Sequence, residues 1–241
     1  MIGPILLLAS WLLLRMQGKG LGELGFNAPL LRTRQFLIGF AITAIAATIQ
    51  QLGFAYTQGT HWILDPGFTH ARLMSIIHFN VNSVLYEELV FRGYLLYQAI
   101  RLIGTRRAIL LDAAAFGIYH WFSYQAFGNP VAMAFIFLFT GSFGLMFATA
   151  FCATKSLALP IGLHLGWNTA TMVLFSSGPL GAALLIAANG AQRIQVRGGP
   201  GMLFKFALPL ALVAGVCWYL TRKRPAAPEA ATLPPAQAER Y

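Results

Sequence analysis

Residues 131–153, VAMAFIFLFTGSFGLMFATAFCA, decide the fold class, because this stretch is apolar from end to end and carries no charged residue. A helix of about 20 apolar residues crosses the ~30 Å hydrocarbon core of a membrane, so the stretch predicts a transmembrane helix. Six further apolar runs surround it. Together they predict about seven spans, at about 2–16, 35–56, 72–100, 108–124, 131–153, 157–176 and 201–221.

The third run, 72–100, differs from the others. It is longer than a span needs and polar at its start, where His78, Asn80, Asn82 and Ser83 occur. We therefore expect this helix to be tilted or broken.

The composition of the whole chain agrees with a membrane protein. Of its 241 residues, 57% are hydrophobic and 10% are charged, and the mean hydropathy is +0.64. Soluble domains carry about 25% charged residues, and no segment here resembles one. We predict an all-α fold: a single polytopic transmembrane helical bundle of about seven spans with a buried polar site.

The formal net charge of +10 does not indicate nucleic-acid binding, because the basic residues form short clusters between the apolar runs. If the spans alternate in direction, most of these clusters fall on one side of the membrane, which the positive-inside rule makes cytoplasmic. We predict an integral, multi-pass protein in contact with membrane lipid, in the plasma membrane if the host is prokaryotic. The clusters on this side are Arg15 and Lys19, Arg32 and Arg34, Arg101, Arg106 and Arg107, Lys155, and Arg222, Lys223 and Arg224.

Four regions follow from these patterns. Residues 1–71 hold the N-terminal spans and an outer loop, 72–176 form the core, and 177–221 hold a Gly-rich segment and the last span. The Pro/Ala-rich tail, 222–241, has the composition of a disordered segment. The apolar N-terminus is expected to be a short first span, not a removed signal peptide, since it lacks a basic start and a small-residue cleavage site.

Two adjacent glutamates, Glu87 and Glu88, lie inside the apolar stretch 84–96 (VLYEELVFRGYLL), and Arg92 follows four positions after the second. A charge at the centre of a bilayer costs at least ~2.5–3.5 kcal/mol on insertion scales, and ionisable residues kept there usually face a cavity or a partner. The stretch therefore marks the candidate functional site. The structural alternative is that Glu88 and Arg92 form an ion pair between helices while Glu87 bonds a neighbour.

Two other apolar spans carry polar side chains, at a depth in the membrane similar to that expected for Glu87. His120 ends the fourth span, and His164 and Asn168, four residues apart on one helix face, lie in the sixth. At 1.5 Å per residue, Glu87, His120 and Asn168 lie about 20 Å from the nearest basic cluster, with His164 one turn shallower. Three spans are therefore predicted to contribute to a single buried site.

These residue types suit the hydrolysis of an amide. With Glu88 neutralised by Arg92, Glu87 is free to act as general base on a water. His120 can share that water or carry its proton, while His164 and Asn168 can donate hydrogen bonds to an oxyanion on the carbonyl.

The cofactor requirement is open at this stage. Glu87, His120 and His164 can instead ligate a divalent metal such as Zn²⁺ and leave one position for water. Sequence does not separate this chemistry from a metal-free general base.

Three ordered motifs resemble the CPBP intramembrane proteases, a family that includes the type II CAAX prenyl endopeptidases and the bacterial Abi proteins. The resemblance covers about 72–176. The family motifs Glu-Glu-x-x-x-Arg, Phe-x-x-x-His and His-x-x-x-Asn/Asp are matched, in this order, by Glu87-Glu88-x-x-x-Arg92, Phe116-x-x-x-His120 and His164-x-x-x-Asn168.

The resemblance implies an intramembrane endopeptidase with Glu87, His120, His164 and Asn168 in its site and a peptide or protein substrate. Eukaryotic members cleave C-terminal tripeptides from prenylated proteins, so a prenylated substrate is one option. The family is named for metalloproteases, although a metal-free, glutamate-activated water is also argued for.

Other protease classes have less support. A His-Glu-x-x-His run is absent. Asp65 and Asp112 do not lie in paired membrane motifs, so we interpret them as a loop-turn residue and as a helix-cap or rim residue. Ser142, beside Gly141, could form a dyad with His164, although small residues in membrane helices usually indicate close packing.

Two functions without peptidase activity stay open. The chain could be a scaffold or an immunity protein that binds a peptide or a partner, in which case Glu87→Gln would be silent. It could also be a proton- or cation-coupled carrier, because buried Glu, His and Arg mark ion paths as well, but the repeat symmetry of such carriers is not visible.

Overall fold

The computed structural model describes residues 2–181, 183–188 and 198–222, and helices dominate this part of the chain. In chain order the helices are α1 (Gly3–Arg15), α2 (Pro29–Thr57), α3 (His70–Phe91), α4 (Tyr94–Ile103), α5 (Thr105–Ser123), α6 (Pro130–Thr154), α7 (Ala158–Asn168), α8 (Gly198–Met202) and α9 (Leu208–Arg222). A 3-10 turn covers Leu21–Leu24, and π-helical turns cover Thr169–Leu174 and Leu203–Ala207. The predicted disordered tail after Arg222 and part of the Gly-rich segment, 189–197, lie outside the described residues.

Among the described residues, three helical stretches are long and apolar enough to cross a membrane: Leu21–Thr57, Pro130–Thr154 and Gly199–Arg222. The prediction of an all-α, helical membrane protein is therefore confirmed, whereas the number of seven spans stays a prediction. The first helix, α1, has 13 residues. At 1.5 Å per residue it is about 20 Å long, which is shorter than the ~30 Å hydrocarbon core.

The long third run is broken, as expected. Helix α3 ends at Phe91 and α4 begins at Tyr94. A Cβ on Gly93, between them, would lie 2.1 Å from the carbonyl oxygen of Leu89, so the chain can turn here only at a glycine. The break leaves Arg92 at the end of α3, fully buried.

Helix α2 is apolar outside and, apart from Phe54, small or polar inside, the reverse of a helix in a soluble protein. Its outward stripe repeats at helical spacing and suits contact with lipid. Its inward stripe suits close packing between membrane helices. The outward residues include Ile38, Ile42, Ile45, Ile49 and Leu52, and the inward ones are Gly39, Thr43, Ala47, Gln50, Phe54 and Ala55.

The inward stripe of α2 packs against α7. A Cβ on Gly166 would lie 2.2 Å from the carbonyl oxygen of Phe40, so only glycine permits this approach. The Thr43 hydroxyl donates a hydrogen bond to the carbonyl of Leu163 at 2.7 Å. These contacts fix the rotation and height of α7, and therefore the position of His164.

One element of the fold was not predicted. Strand β1 (Trp62–Leu64) pairs antiparallel with β2 (Leu185–Ala187). The Trp62 ring packs edge-on against Phe175 at 4.8 Å between centroids. Strands of three residues are too short to show a period-2 pattern, so the sequence gives no signal for this ribbon, which ties the loop after α2 to the Gly-rich segment.

Candidate active site

The two glutamates of α3 face different surroundings, because adjacent helical residues point about 100° apart. Glu88 is fully buried. Its Oε1 accepts a hydrogen bond from Nδ1 of His164 at 2.8 Å and lies 3.4 Å from Nη1 of Arg92. Glu87 keeps 8% of its surface exposed and faces the other nitrogen of His164. One carboxylate is thus part of the protein interior, while the other lines a small space.

The interpretation of Asp112 as a helix-cap or rim residue was wrong. Asp112 is buried on α5, and its Oδ2 lies 3.3 Å from Nε of Arg92. Arg92 therefore lies between two carboxylates, Glu88 at the end of α3 and Asp112 on α5. The interpretation of Asp65 as a turn residue is confirmed, since its Oδ1 accepts a hydrogen bond from the Gly67 amide at 3.0 Å.

Aromatic rings complete the surroundings of the buried guanidinium. The Arg92 Cζ lies 4.2 Å from the ring centroid of Phe116 and 5.1 Å from that of Phe147. Its Nη2 donates to the carbonyl of Gly144 at 3.4 Å. Arginine suits this position, because its planar guanidinium can stack on rings and bind two acceptors at once. The same Phe147 ring stacks on His164, with centroids 4.7 Å apart and planes at 18°.

Glu87 is oriented by its own helix. The Ser83 hydroxyl, one turn earlier, donates to Glu87 Oε1 at 3.1 Å. The second oxygen, Oε2, then faces both imidazoles, at 3.9 Å from His120 Nε2 and 3.8 Å from His164 Nε2. The structure therefore brings Glu87, His120 and His164 together from α3, α5 and α7.

Hydrogen bonding at Nδ1 assigns the tautomer of both histidines. Nδ1 of His120 lies 2.8 Å from the carbonyl oxygen of Phe116, and Nδ1 of His164 lies 2.8 Å from a carboxylate oxygen of Glu88. A carbonyl oxygen can only accept a hydrogen bond, and so can the oxygen of an ionised carboxylate. Each Nδ1 therefore carries the hydrogen. In a neutral ring, Nε2 then presents a lone pair.

Three acceptor atoms therefore surround one small space: Glu87 Oε2 and the two Nε2 atoms. Separations of 3.8 and 3.9 Å are too long for direct hydrogen bonds. A water oxygen about 2.8 Å from two of these atoms fits the gap, and its two hydrogens can serve two of the three acceptors. The geometry suits a bridging water with a carboxylate beside it.

The three side chains have the right donor atoms for a metal but the wrong separations. Ligand atoms of a tetrahedral zinc lie about 3.4 Å apart for bonds of about 2.0–2.1 Å, whereas those of Glu87 and the two histidines are 3.8 and 3.9 Å apart. Within the described ranges, no group of three or more His, Cys, Asp or Glu side chains is arranged to hold a metal ion.

Asn168 is half-buried and ends α7, where the helix widens into the π-helical turn Thr169–Leu174. Such turns occur frequently at functional sites. The next residue, Thr169, accepts a hydrogen bond from Asn80 of α3 at 3.2 Å. Asn80 lies seven residues before Glu87, about 10 Å along the helix. Asn168 therefore lies on the helix that carries His164, next to a residue that contacts α3, and its place in the site stays a prediction.

The alternative nucleophile, Ser142, is engaged within its own helix, where its hydroxyl donates to the carbonyl of Phe139 at 2.7 Å. Two contributors to the cluster were missed from sequence, Ser83 and Asp112. Ser83 could have been found from its i, i+4 spacing to Glu87. Asp112 had no local signal, because its partner is on another helix.

Comparison with known proteins finds a similar family. No curated protein and no solved structure matches the chain. Residues 69–170 match the model of a family described as type II CAAX prenyl endopeptidase Rce1-like, and this range includes every residue of the cluster. The resemblance predicted from the three motifs is therefore confirmed over residues 69–170, which are similar to this family.

Proposed function

We propose that this protein is an intramembrane endopeptidase in which Glu87 activates a water for attack on a peptide bond. The observation that carries the proposal is the convergence of Glu87 Oε2 with the Nε2 atoms of His120 and His164, at 3.9 and 3.8 Å. Three spans supply one residue each, and a water fits between them. The similarity of residues 69–170 to a family of prenyl endopeptidases supports this proposal.

In the first step, the bridging water donates one hydrogen to Glu87 Oε2 and lies against an imidazole. As its oxygen bonds to the scissile carbonyl carbon, its proton passes to Glu87, and the carbonyl electron pair moves onto the carbonyl oxygen. Ser83 keeps the carboxylate aligned through Oε1. General-base help of this kind contributes about 10²–10⁴-fold to a rate.

In the second step, the oxyanion accepts hydrogen bonds. The Asn168 amide can donate them directly, whereas Nε2 of His164 donates only after its ring has taken up a second proton from solvent, separate from the proton that Glu87 takes from the attacking water. Glu88, hydrogen-bonded to Nδ1 of His164 at 2.8 Å, stabilises that protonated ring. The tetrahedral intermediate then collapses. The C–N bond breaks, and protonated Glu87 or His120 returns the proton to the leaving amine.

We infer that the substrate is a peptide or protein whose cleavage site enters the bilayer, since Glu87, His120 and His164 lie on three helices of a helical membrane protein. A prenylated C-terminus and an unmodified membrane peptide both satisfy this condition. The protein is proposed to be multi-pass, with its lipid-facing surface formed by stripes such as that of α2.

The test compares membranes that hold the intact protein with membranes that hold Glu87→Gln, by mass spectrometry of new protein termini. Glutamine keeps the acceptor for Ser83 but cannot take a proton, so we expect the fold to persist and the product termini to disappear. Glu23→Gln is the matched control, because Glu23 lies on the surface in an ion pair with Lys19. It should leave the products unchanged.

If Glu87→Gln gives the same termini as the intact protein, the proposed catalytic role is wrong. If neither protein gives new termini, yet a partner co-purifies equally with both, the scaffold or immunity function gains support. Ion flux in proteoliposomes that depends on Glu87 would favour the carrier instead.

A further inference from the structure

A second polar site lies on the basic side of the molecule, away from Glu87 and Glu88. A cavity of ≈440 Å³ opens between the end of α4, the 3-10 turn and the end of α6. Its polar lining includes Arg32, Arg101 and Lys155, with Tyr97 and Asn27 beside them. Ligand cavities in proteins commonly have volumes of about 300–1,000 Å³, so this one is large enough for a small ligand.

The three cations in this cavity lack carboxylate partners within the described part of the chain. The acidic residues described there pair elsewhere: Glu23 with Lys19, Asp65 with Arg72, and Glu88 and Asp112 with Arg92, while Glu87 faces the histidines. Glu23 also lines the cavity, but Lys19 lies 3.4 Å from it. The cavity therefore has an excess of positive charge.

Neutral acceptors hold two of these cations in place. The Arg32 guanidinium donates to the carbonyl of Thr154 at 3.0 Å and to Oδ1 of Asn27 at 2.8 Å. Arg101 Nη1 donates to Oε1 of Gln17 at 2.6 Å. These contacts fix the side chains without neutralising them. A pre-oriented, uncompensated guanidinium pair suits phosphate, which binds arginine through charge-assisted hydrogen bonds.

The apolar lining indicates an amphiphile and not a free anion. Ile100 and the buried Phe151 line the same cavity, and Leu102, next to Arg101, is 73% exposed. A second cavity of ≈530 Å³ adjoins the first, since Lys155 lines both. It adds Arg106 and Arg107 and has no carboxylate in its lining. Basic pockets between membrane helices bind the head groups of anionic lipids.

We propose that the cavity around Arg32, Arg101 and Lys155 binds the phosphate head group of an anionic phospholipid, whose acyl chains lie along Leu102 and the neighbouring helix surface. The site is independent of the proposed peptidase cluster. A lipid bound there would join α2, α4 and α6 at the membrane surface.

The test measures lipid binding to the purified protein in neutral detergent, by native mass spectrometry with added phosphatidylglycerol. Phosphatidylcholine is the zwitterionic control, and glycerol phosphate is the control for free phosphate. Near a membrane surface each Lys or Arg contributes about 1 kcal/mol of attraction to anionic lipid, which is about fivefold in affinity. We expect Lys155→Gln and Arg101→Gln each to weaken binding about fivefold, and the double variant about 25-fold.

Arg15→Gln is the matched control, because Arg15 is exposed at the end of α1 and lines neither cavity. Selective binding of phosphatidylglycerol that Lys155→Gln weakens and Arg15→Gln does not would support the site. Equal losses in both variants, equal binding of phosphatidylcholine, or equal binding of glycerol phosphate would each overturn it. Arg101→Gln provides an independent variant if Lys155→Gln does not fold.

Discussion

Replacing Asp112 by asparagine would remove one of the two carboxylates that flank the buried guanidinium of Arg92. Asp112 Oδ2 lies 3.3 Å from Arg92 Nε, and Glu88 Oε1 lies 3.4 Å from Nη1. At an effective dielectric constant of about 20, two opposite charges 3.3 Å apart attract by about 5 kcal/mol. Part of this attraction is offset by the cost of removing Asp112 from water.

The net loss follows from measurements on comparable pairs. Removing one partner of a buried ion pair typically costs about 3–5 kcal/mol, because the other charge is left uncompensated. In Asp112→Asn, Glu88 still faces Arg92, so we expect the lower end, about 3 kcal/mol. Asparagine is nearly isosteric with aspartate, and the change therefore opens no cavity that would confuse the result.

Asp65→Asn is the matched control. Asp65 is also buried, but its Oδ2 lies 4.0 Å from Nη1 of Arg72, whose side chain is 44% exposed. Because solvent screens this longer pair, we expect its loss to cost about 1 kcal/mol or less. Equilibrium unfolding in mixed detergent micelles, followed by tryptophan fluorescence, measures both variants. If Asp112→Asn loses no more free energy of unfolding than Asp65→Asn, the idea that Asp112 balances the buried arginine is refuted.

Four further outcomes can be measured. Gly166→Ala should destabilise the protein by about 1–3 kcal/mol, because the new Cβ would lie 2.2 Å from a backbone oxygen of α2. Gly215 has open space around it, so the control Gly215→Ala should change stability by about 1 kcal/mol or less. Equal losses in the two variants would contradict the proposed α2–α7 packing. Ser83→Ala should lower turnover about tenfold through the lost hydrogen bond to the Glu87 carboxylate, with the expression level as control; full activity would remove its orienting role. Ser142→Ala should keep full activity, since inactivation without unfolding would favour a serine nucleophile. Chelators should leave the yield of product termini unchanged, and a loss that zinc restores would refute the metal-free mechanism.

Much of the site could be predicted from the spacing of residues within single helices. Because residues four apart share a helix face, the three motifs could be assigned to faces without knowledge of any other helix. The depth of each motif followed from counting residues from the basic clusters. The break in the third run was also foreseeable, from its excess length.

The errors and omissions involve contacts between helices. Asp112 stands alone among apolar residues in the sequence, so its partner Arg92, on another helix, gave no local signal. The β1–β2 ribbon joins segments more than 100 residues apart, and its strands are too short to be recognised by alternation.

The sequence by itself determined that this is a helical membrane protein, which helix faces carry its polar groups, and which family its core resembles, because hydropathy and helical period are local properties. Only the tertiary structure decided that Glu88 binds His164 through Nδ1 while Glu87 faces the two Nε2 atoms. Those pairings depend on how the helices are rotated and how closely they approach. That approach is limited by backbone contacts such as the one between Gly166 and Phe40, which no single segment of sequence contains.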